Sequence, residues 1–557
     1  MRIKTRCILT VLLLAFAAQA EAVTITVLAT TDLHGNLYPY DYYTAKPAQR
    51  GLAKIATLIR EARRENPASI LIDCGDTIQG TPLESVYQNF VRTGKLPAEM
   101  RAPGPLPSGD PMMLAMNALG YQAMVLGNHE FNFGLKNLEK ARSDANFPWL
   151  SANTVVEPGS RFKPFEPSIL ITVAGVKVAI VGITTPSIPS WETPEQYKGL
   201  SFADGTQAAE SAVREARRKY RPDLMIAAVH AGLGSDRENM VRQIATRVTG
   251  IDAIIYGHSH QTEEGLRIGE VLLVQPKNWG MSLARLDFDL EKTGGAWKLT
   301  AKRSRLVPVR AATAADPEIL RLAKPYHDLA EVYLNTPVAE SPADLDTKRG
   351  RIEDTALVDA IHEVQLYYTK ADVSFTALFN LDVHVPKGPL TVRQIAALYL
   401  YDNELYAIEG TGKMVRAALE NAARFYLSCR TPACDQGPLI NRGVMGFNYD
   451  MAEGVTYEID LTKPVGQRVA NLLWKGRPLA PDQKLRIALN DYRAAGSGSY
   501  TMFRGAPIVW RSSDDLRNLI VAYYSERHRL PAAPENNWRI VPEAAHRTLA
   551  AEGRSTP

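Results

Sequence analysis

Between residues 23 and about 300, short apolar runs keep ending in Asp, Asn or His beside or near Gly. The runs read ITVLATTDLHG, SILIDCGDTIQG, AMVLGNHEFNFG, KVAIVGITTP, LMIAAVHAGLG, DAIIYGHSH and EVLLVQPKNWG, and five of the seven close in this style. Short runs rich in Val and Ile read as strands, and helical periodicity fills the gaps at 52–63 and 208–219. Strand and helix in alternation give α/β units. Open α/β sheets bind ligands outside the carboxyl ends of their strands, where these polar residues fall.

The tips collect Asp32, His34, Asp76, Asn128, His129, His230, His258 and His260. Asp32 and His34 stand two apart at one strand end, so alternation places both on one face. Any one of these histidines alone reads as an ordinary core or surface residue. Five of the chain's ten histidines at four strand tips do not. Six or seven N and O donors exceed the needs of one ion. They suit a pair roughly 3.5–4 Å apart sharing a carboxylate, a geometry for in-line attack on phosphorus. Asp76, after a tight Gly turn, is the expected bridge. Imidazole and carboxylate donors suit Mn, Zn, Co or Fe better than an all-oxygen Mg or Ca site.

The length of 557 residues exceeds one core. The expected divisions are a signal peptide at 1–22, a first α/β domain at 23–315, a helical linker at 316–350, a second α/β domain at 351–535 and a tail at 536–557. Arg2, Lys4 and Arg6 precede an apolar stretch at 7–18 and small residues at 18–22, the pattern of an export leader too short to anchor. Cleavage after Ala20 takes three of the 64 basic residues and leaves 61 against 60 acidic. A near-neutral chain without a basic stripe excludes a dedicated nucleic-acid binder. No membrane anchor, a monomeric state and a periplasmic or secreted location are expected. Of four cysteines, Cys429 and Cys434 suit a small-loop disulfide, with a zinc half-site as the rival, and Cys74 suits a buried strand.

The ordered set DxH, GDT, GNHE, H and GHSH resembles the calcineurin-like metallophosphoesterases. TTDLHGNLYPYDYY, DTIQGTPL and GNHEFNFG narrow this to the exported 5'-nucleotidase family, nearest its bifunctional 2',3'-cyclic-nucleotide 2'-phosphodiesterase/3'-nucleotidase branch. The resemblance implies an α/β protein: an N-terminal metallophosphoesterase β-sandwich flanked by helices, then a C-terminal α/β 5'-nucleotidase-type substrate-binding domain. By motif, Asp32, His34, Asp76 and His260 hold one divalent metal ion; Asp76, Asn128, His230 and His258 hold the other. His129 points at the substrate phosphate. Asn132 stands where 5'-nucleotidases carry an aspartate, so it orients the ring without adding charge, and the imidazolium is expected to be less favoured.

Matching motifs in LYLYDNELYAIEGTG and LNDYRAAGSGS make Tyr401 and Tyr492 the rings that clamp a base. The competing reading, with 23 tyrosines in the chain, is that both are half-buried core rings. ALFNLDVHVPKG replaces the Asn-Gly-Gly-x-Arg segment of 5'-nucleotidases, and the ribose-contacting aspartate near Gly498 is also replaced. Both departures favour the cyclic branch, with small-molecule nucleotides as substrates. The rival readings are a 5'-nucleotidase or UDP-sugar hydrolase on the same scaffold, and a secreted nucleotide-binding protein without catalysis.

Overall fold

The computed structural model describes residues 21–96, 108–192, 194–399, 401, 403–431 and 433–552. The leader expected at 1–22 lies almost wholly outside them. Two six-stranded sheets form the N-terminal half. The first runs, in spatial order, Ala296–Pro308, Ser282–Thr293, Ala22–Thr30, Ser69–Asp73, Ala123–Val125 and Trp149–Leu150. The second runs Glu263–Ile268, Val271–Gln275, Ala253–Tyr256, Leu224–His230, Val176–Thr184 and Ser168–Val173.

Alternation along the strands explains how the sheets stack. Ile25, Val27, Ile70 and Ile72 of the first sheet meet Val178, Ile180, Ile226 and Ile255 of the second in one buried cluster. The intervening Leu28 and Leu71 turn outward to the helices Leu52–Glu65 and Pro111–Leu119. Ala179, Val181 and Val229 likewise turn to the helices Gly205–Tyr220 and Val241–Arg247. Strands covered on both faces need apolar residues at successive positions, which is why they read as continuous runs.

The C-terminal half holds a five-stranded sheet ordered Asp450–Glu453, Val373–Ala377, Lys484–Asn490, Glu404–Thr411 and Ile508–Asp515. A four-stranded sheet of Arg477–Pro478, Val469–Trp474, Val455–Asp460 and Trp538–Val541 lies beyond it. The tail expected from 536 is corrected here. Trp538–Val541 pairs in parallel with Val455–Asp460, and the helix Glu543–Glu552 follows. Trp538, Ile540, Ala545 and Leu549 are buried, so a short polar-looking segment is held by four apolar anchors.

The helix Pro317–Leu334, capped by the Asp316 side chain on the N–H groups of Glu318 and Ile319, joins the halves. One apolar cluster runs through it, from Ile59 and Met113 through Ala323 and Tyr326 to Ile361, Leu516 and Ile520. Polar contacts reinforce this seam. Arg393 binds the Tyr42 carbonyl and Glu331, and the Arg517 guanidinium lies 3.9 Å from the centroid of the Tyr43 ring. Cys429 and Cys434 are joined in a disulfide, which removes the zinc half-site reading, and Cys74 is buried and free.

Candidate metal centre and substrate cleft

The strand ends turn sharply to bring their polar residues together. Asp32, His34, Asp76, His258 and His260 all have positive φ, between 45° and 72°. Left-handed backbone at a non-glycine residue costs about 1–3 kcal/mol and persists only where surroundings over-determine it. Here Asp32 N–H donates to Gly75 O, His34 N–H to Asp76 O, and His258 N–H to the Asp32 carboxylate. Glycine permits the approach: a Cβ on Gly127 would lie 2.1 Å from Asp76 Oδ1, and one on Gly257 would lie 1.9 Å from Thr31 Oγ1.

Two triads result, Asp32–His34–His260 and Asp76–His230–His258, each with donor atoms within 4.8 Å of one another. Asp76 touches both. Its Oδ2 is 2.9 Å from His230 Nε2 and 3.9 Å from His34 Nε2. Asn128 Oδ1 joins the second triad at 3.2 Å from His230 Nε2 and 3.0 Å from His258 Nδ1. All seven predicted ligands therefore converge on one spot. His34 Nδ1 is taken by Gln79 Oε1 and His230 Nδ1 by the Cys74 carbonyl, which leaves Nε2 of each ring facing the centre.

The electrostatics suit cations. Asp32 is held down at about 2: burial opposes this, but the His260 hydrogen bond and charge outweigh it. Asp76 lies well below the carboxylate range despite burial, because His230 and His129 face it. Burial and then the charge of His260 push His34 down to about 4, leaving a neutral donor ring. For His230 the Asp76 charge overcomes burial and raises it to about 10, so an ion binding there displaces a proton.

His129 sits beside the pair without joining either triad. Its N–H donates to Asp76 Oδ1, its ring meets that of His34 edge-on at 5.2 Å, and its Nδ1 lies 2.7 Å from Asn132 Oδ1. Burial lowers His129, but Asp76, Glu404, the Asn132 hydrogen bond and Glu192 together push it up to about 9. Glu404 and Glu192 act on this ring from far along the chain, although burial raises both carboxyl groups, Glu192 to about 8. Divalent ions in the triads would oppose this shift by like-charge repulsion.

A cleft of about 630 Å³ separates the metal triads from the C-terminal half, with Tyr401, Glu404, Tyr406, Asp491 and Arg517 on its far wall. Tyr401 is 48% exposed and Tyr492 43%, so about half of each ring is open to solvent. Tyr401 lines the cleft and packs edge-on to Phe379 at 4.8 Å. Tyr492 is not among the described lining residues, although its neighbour Asp491 is; the Arg493 guanidinium lies 5.3 Å from its ring centroid.

Two organising carboxylates escaped the sequence reading. Glu130, fully buried, accepts the backbone N–H groups of Gly127, Asp76 and Thr77 at 2.6–2.9 Å and so ties two ligand loops together. Glu238 Oε1 lies 3.4 Å from His258 Nε2. The Glu of GNHE was a signal for the first; nothing near Glu238 marks the second.

Residues 25–262 match the family model for calcineurin-like phosphoesterase, and 333–505 match that for the 5'-nucleotidase C-terminal domain. A 2',3'-cyclic-nucleotide 2'-phosphodiesterase/3'-nucleotidase from Yersinia enterocolitica is 30% identical across 94% of this chain and 89% of its own length. The chain belongs to the 5'-nucleotidase family of metallophosphoesterases. Within the 5'-nucleotidase family, the trifunctional nucleotide phosphoesterase YfkN of Bacillus subtilis is 29% identical over 94% of the chain, which spans 39% of that longer protein. A solved putative 5'-nucleotidase from Staphylococcus aureus superposes with a TM-score of 0.64 at 25% identity, covering 93% of this chain and all of that one. The 5'-nucleotidase family is hydrolytic and depends on divalent metal, in keeping with the paired triads. No helix among the described residues is long and apolar enough to cross a membrane.

Proposed function

We propose that this protein opens 2',3'-cyclic nucleotides to 3'-nucleotides and then dephosphorylates these to nucleosides. The observation that carries the reading is Asp76, one buried carboxylate within reach of histidines from both triads. A donor set of four imidazoles, two carboxylates and one amide fits two ions of the Mn, Zn, Co or Fe kind. When bound, such a pair polarises the phosphate and supplies a nucleophile at neutral pH. Asp32, His34, Asp76 and His260 would hold one ion; Asp76, Asn128, His230 and His258 the other. His129, oriented by Asn132, presents Nε2 to the charge developing on phosphorus. Tyr401 and Tyr492 hold the base, and stacking accepts every base because each has a π-face. As water adds to phosphorus, the bond to the 2'-oxygen breaks and that oxygen is protonated, leaving a 3'-phosphate for the second round.

The same reading makes the mature chain a monomer outside the cytoplasm; the leader-like pattern at 1–22 supports the location. Its test is product order. Protein stripped with chelator and reloaded with Mn should convert 2',3'-cAMP to 3'-AMP and then to adenosine. A first product of 2'-AMP, or hydrolysis indifferent to chelation, would overturn it.

A further inference from the structure

Asn132 stands between two unlike partners. Its Oδ1 faces His129 Nδ1 at 2.7 Å, and its Nδ2 donates to Glu192 Oε1 at 2.5 Å. A carboxamide turned end for end keeps its shape but exchanges acceptor for donor. Glu192 removes that freedom. Turned round, Asn132 would set its oxygen against a carboxyl oxygen of Glu192, acceptor against acceptor, at a site where Glu192 is only 5% exposed and water cannot compensate. The grip is double, because Gln196 Nε2 donates to the Asn132 backbone carbonyl at 2.8 Å. Both residues come from the segment after the strand Val176–Thr184, in the sheet that does not carry His129.

We propose that Glu192 is a positioning residue for the hydrolysis: it locks the Asn132 carboxamide so that Oδ1 accepts from His129 Nδ1, leaving Nε2 for the substrate phosphate. The inference rests on the role given to His129 above. It needs an unprotonated Glu192 oxygen facing Asn132, because a carboxyl O–H there could donate to a turned amide; burial pushes this carboxyl up to about 8, so the lock is firmest above that pH. It also explains how an amide serves where a carboxylate would otherwise be needed: the asymmetry of the contact is imposed from the far side.

The test uses the full-length, metal-loaded chain and bis(p-nitrophenyl) phosphate, a base-free ester that requires no nucleotide binding. E192M should lower kcat by about 10–100-fold, as loss of an orienting partner does elsewhere, with KM and bound metal unchanged. E192Q, which can still accept in one of its two orientations, should lose less. N132D alone sets two carboxyl groups against each other and should also lose activity. In N132D/E192Q the new amide at position 192 donates to the new carboxylate at position 132, which accepts from His129, so the double variant should exceed both single variants. A purely structural role predicts losses that multiply. Multiplied losses, or E192Q and E192M at wild-type rate, would overturn the proposal. A wild-type chain inactive on this ester would overturn the hydrolase reading as well, so the two failures are told apart.

Discussion

Replacing Asp76 with Asn removes one charge and almost nothing else. The amide keeps the carboxylate's shape and can still accept the His129 N–H now 2.9 Å from Oδ1. Asn also tolerates positive φ better than most residues, so the 57° found at Asp76 is kept. What is lost is the anionic oxygen between His230 Nε2 at 2.9 Å and His34 Nε2 at 3.9 Å. Two unit charges 4 Å apart interact by about 4 kcal/mol at an effective dielectric near 20. Asp76 is 1% exposed, so solvent screens little of this, and divalent ions double each term. If relaxation left only a third of one such term, about 1.4 kcal/mol would remain, a tenfold effect. Asp76→Asn should therefore fall below about one-tenth of wild-type turnover on nucleotide and base-free esters alike. Melting temperature should stay near wild type, and elemental analysis should show metal depleted from both positions. A folded variant with more than a tenth of the turnover and two equivalents of tightly bound metal would refute the shared carboxylate.

Tyr401→Ala and Tyr492→Ala should each weaken nucleotide binding by about 1–3 kcal/mol while barely changing turnover of bis(p-nitrophenyl) phosphate; equal losses on both substrates would assign these rings to the fold. A second expectation concerns His362, buried with only its Nδ1 paired, to Ser374 Oγ at 2.9 Å, and pushed by burial from 6.5 down to about 3. Its depressed value means the unfolded chain binds a proton that the folded chain refuses. Stability from this group is full above pH 6.5 and is lost as pH falls towards 3, by about 1.4 kcal/mol per pH unit. His362→Gln should be less stable at pH 7.5 but flatter between pH 6.5 and 4.5 in thermal melts; an unchanged slope would show that His362 titrates normally in the fold.

The strand tips were legible because chemistry and fold coincide there: an apolar run needs a polar residue to end it, and this chain ends its runs in carboxylate, amide and imidazole groups. Asp32, His34, Asp76, Asn128, His129, His230, His258 and His260 could be picked out on that ground, the family motifs set His129 apart, and the structure draws the other seven together. Their left-handed backbone could not, since Asp and His adopt positive φ only occasionally, far less readily than Gly. Glu192 was invisible for a different reason: it reaches Asn132 across 60 residues and from the other sheet, and no local pattern encodes such a contact. The same holds for the cluster that joins the halves, where Leu516 and Ile520 pack against residues more than 150 positions earlier. Trp538 and Ile540 were too few apolar residues, in too short a run, to read as a strand.

The choice of phosphate ester rests on reach. A cyclic 2',3'-phosphate lies close against the ribose, whereas a 5'-phosphate extends on a rotatable methylene. If Tyr401 and Tyr492 hold the base as proposed, the span to Asp76 would select one of them, since a misplacement of about 1 Å can cost about 10²-fold. Measuring kcat/KM for 2',3'-cAMP, 3'-AMP and 5'-AMP on one preparation of metal-loaded protein tests this most directly. Both of the first two should exceed 5'-AMP by at least about tenfold, or about 1.4 kcal/mol of transition-state binding. A preference for 5'-AMP would contradict the substrate assignment while leaving the paired metal triads in place.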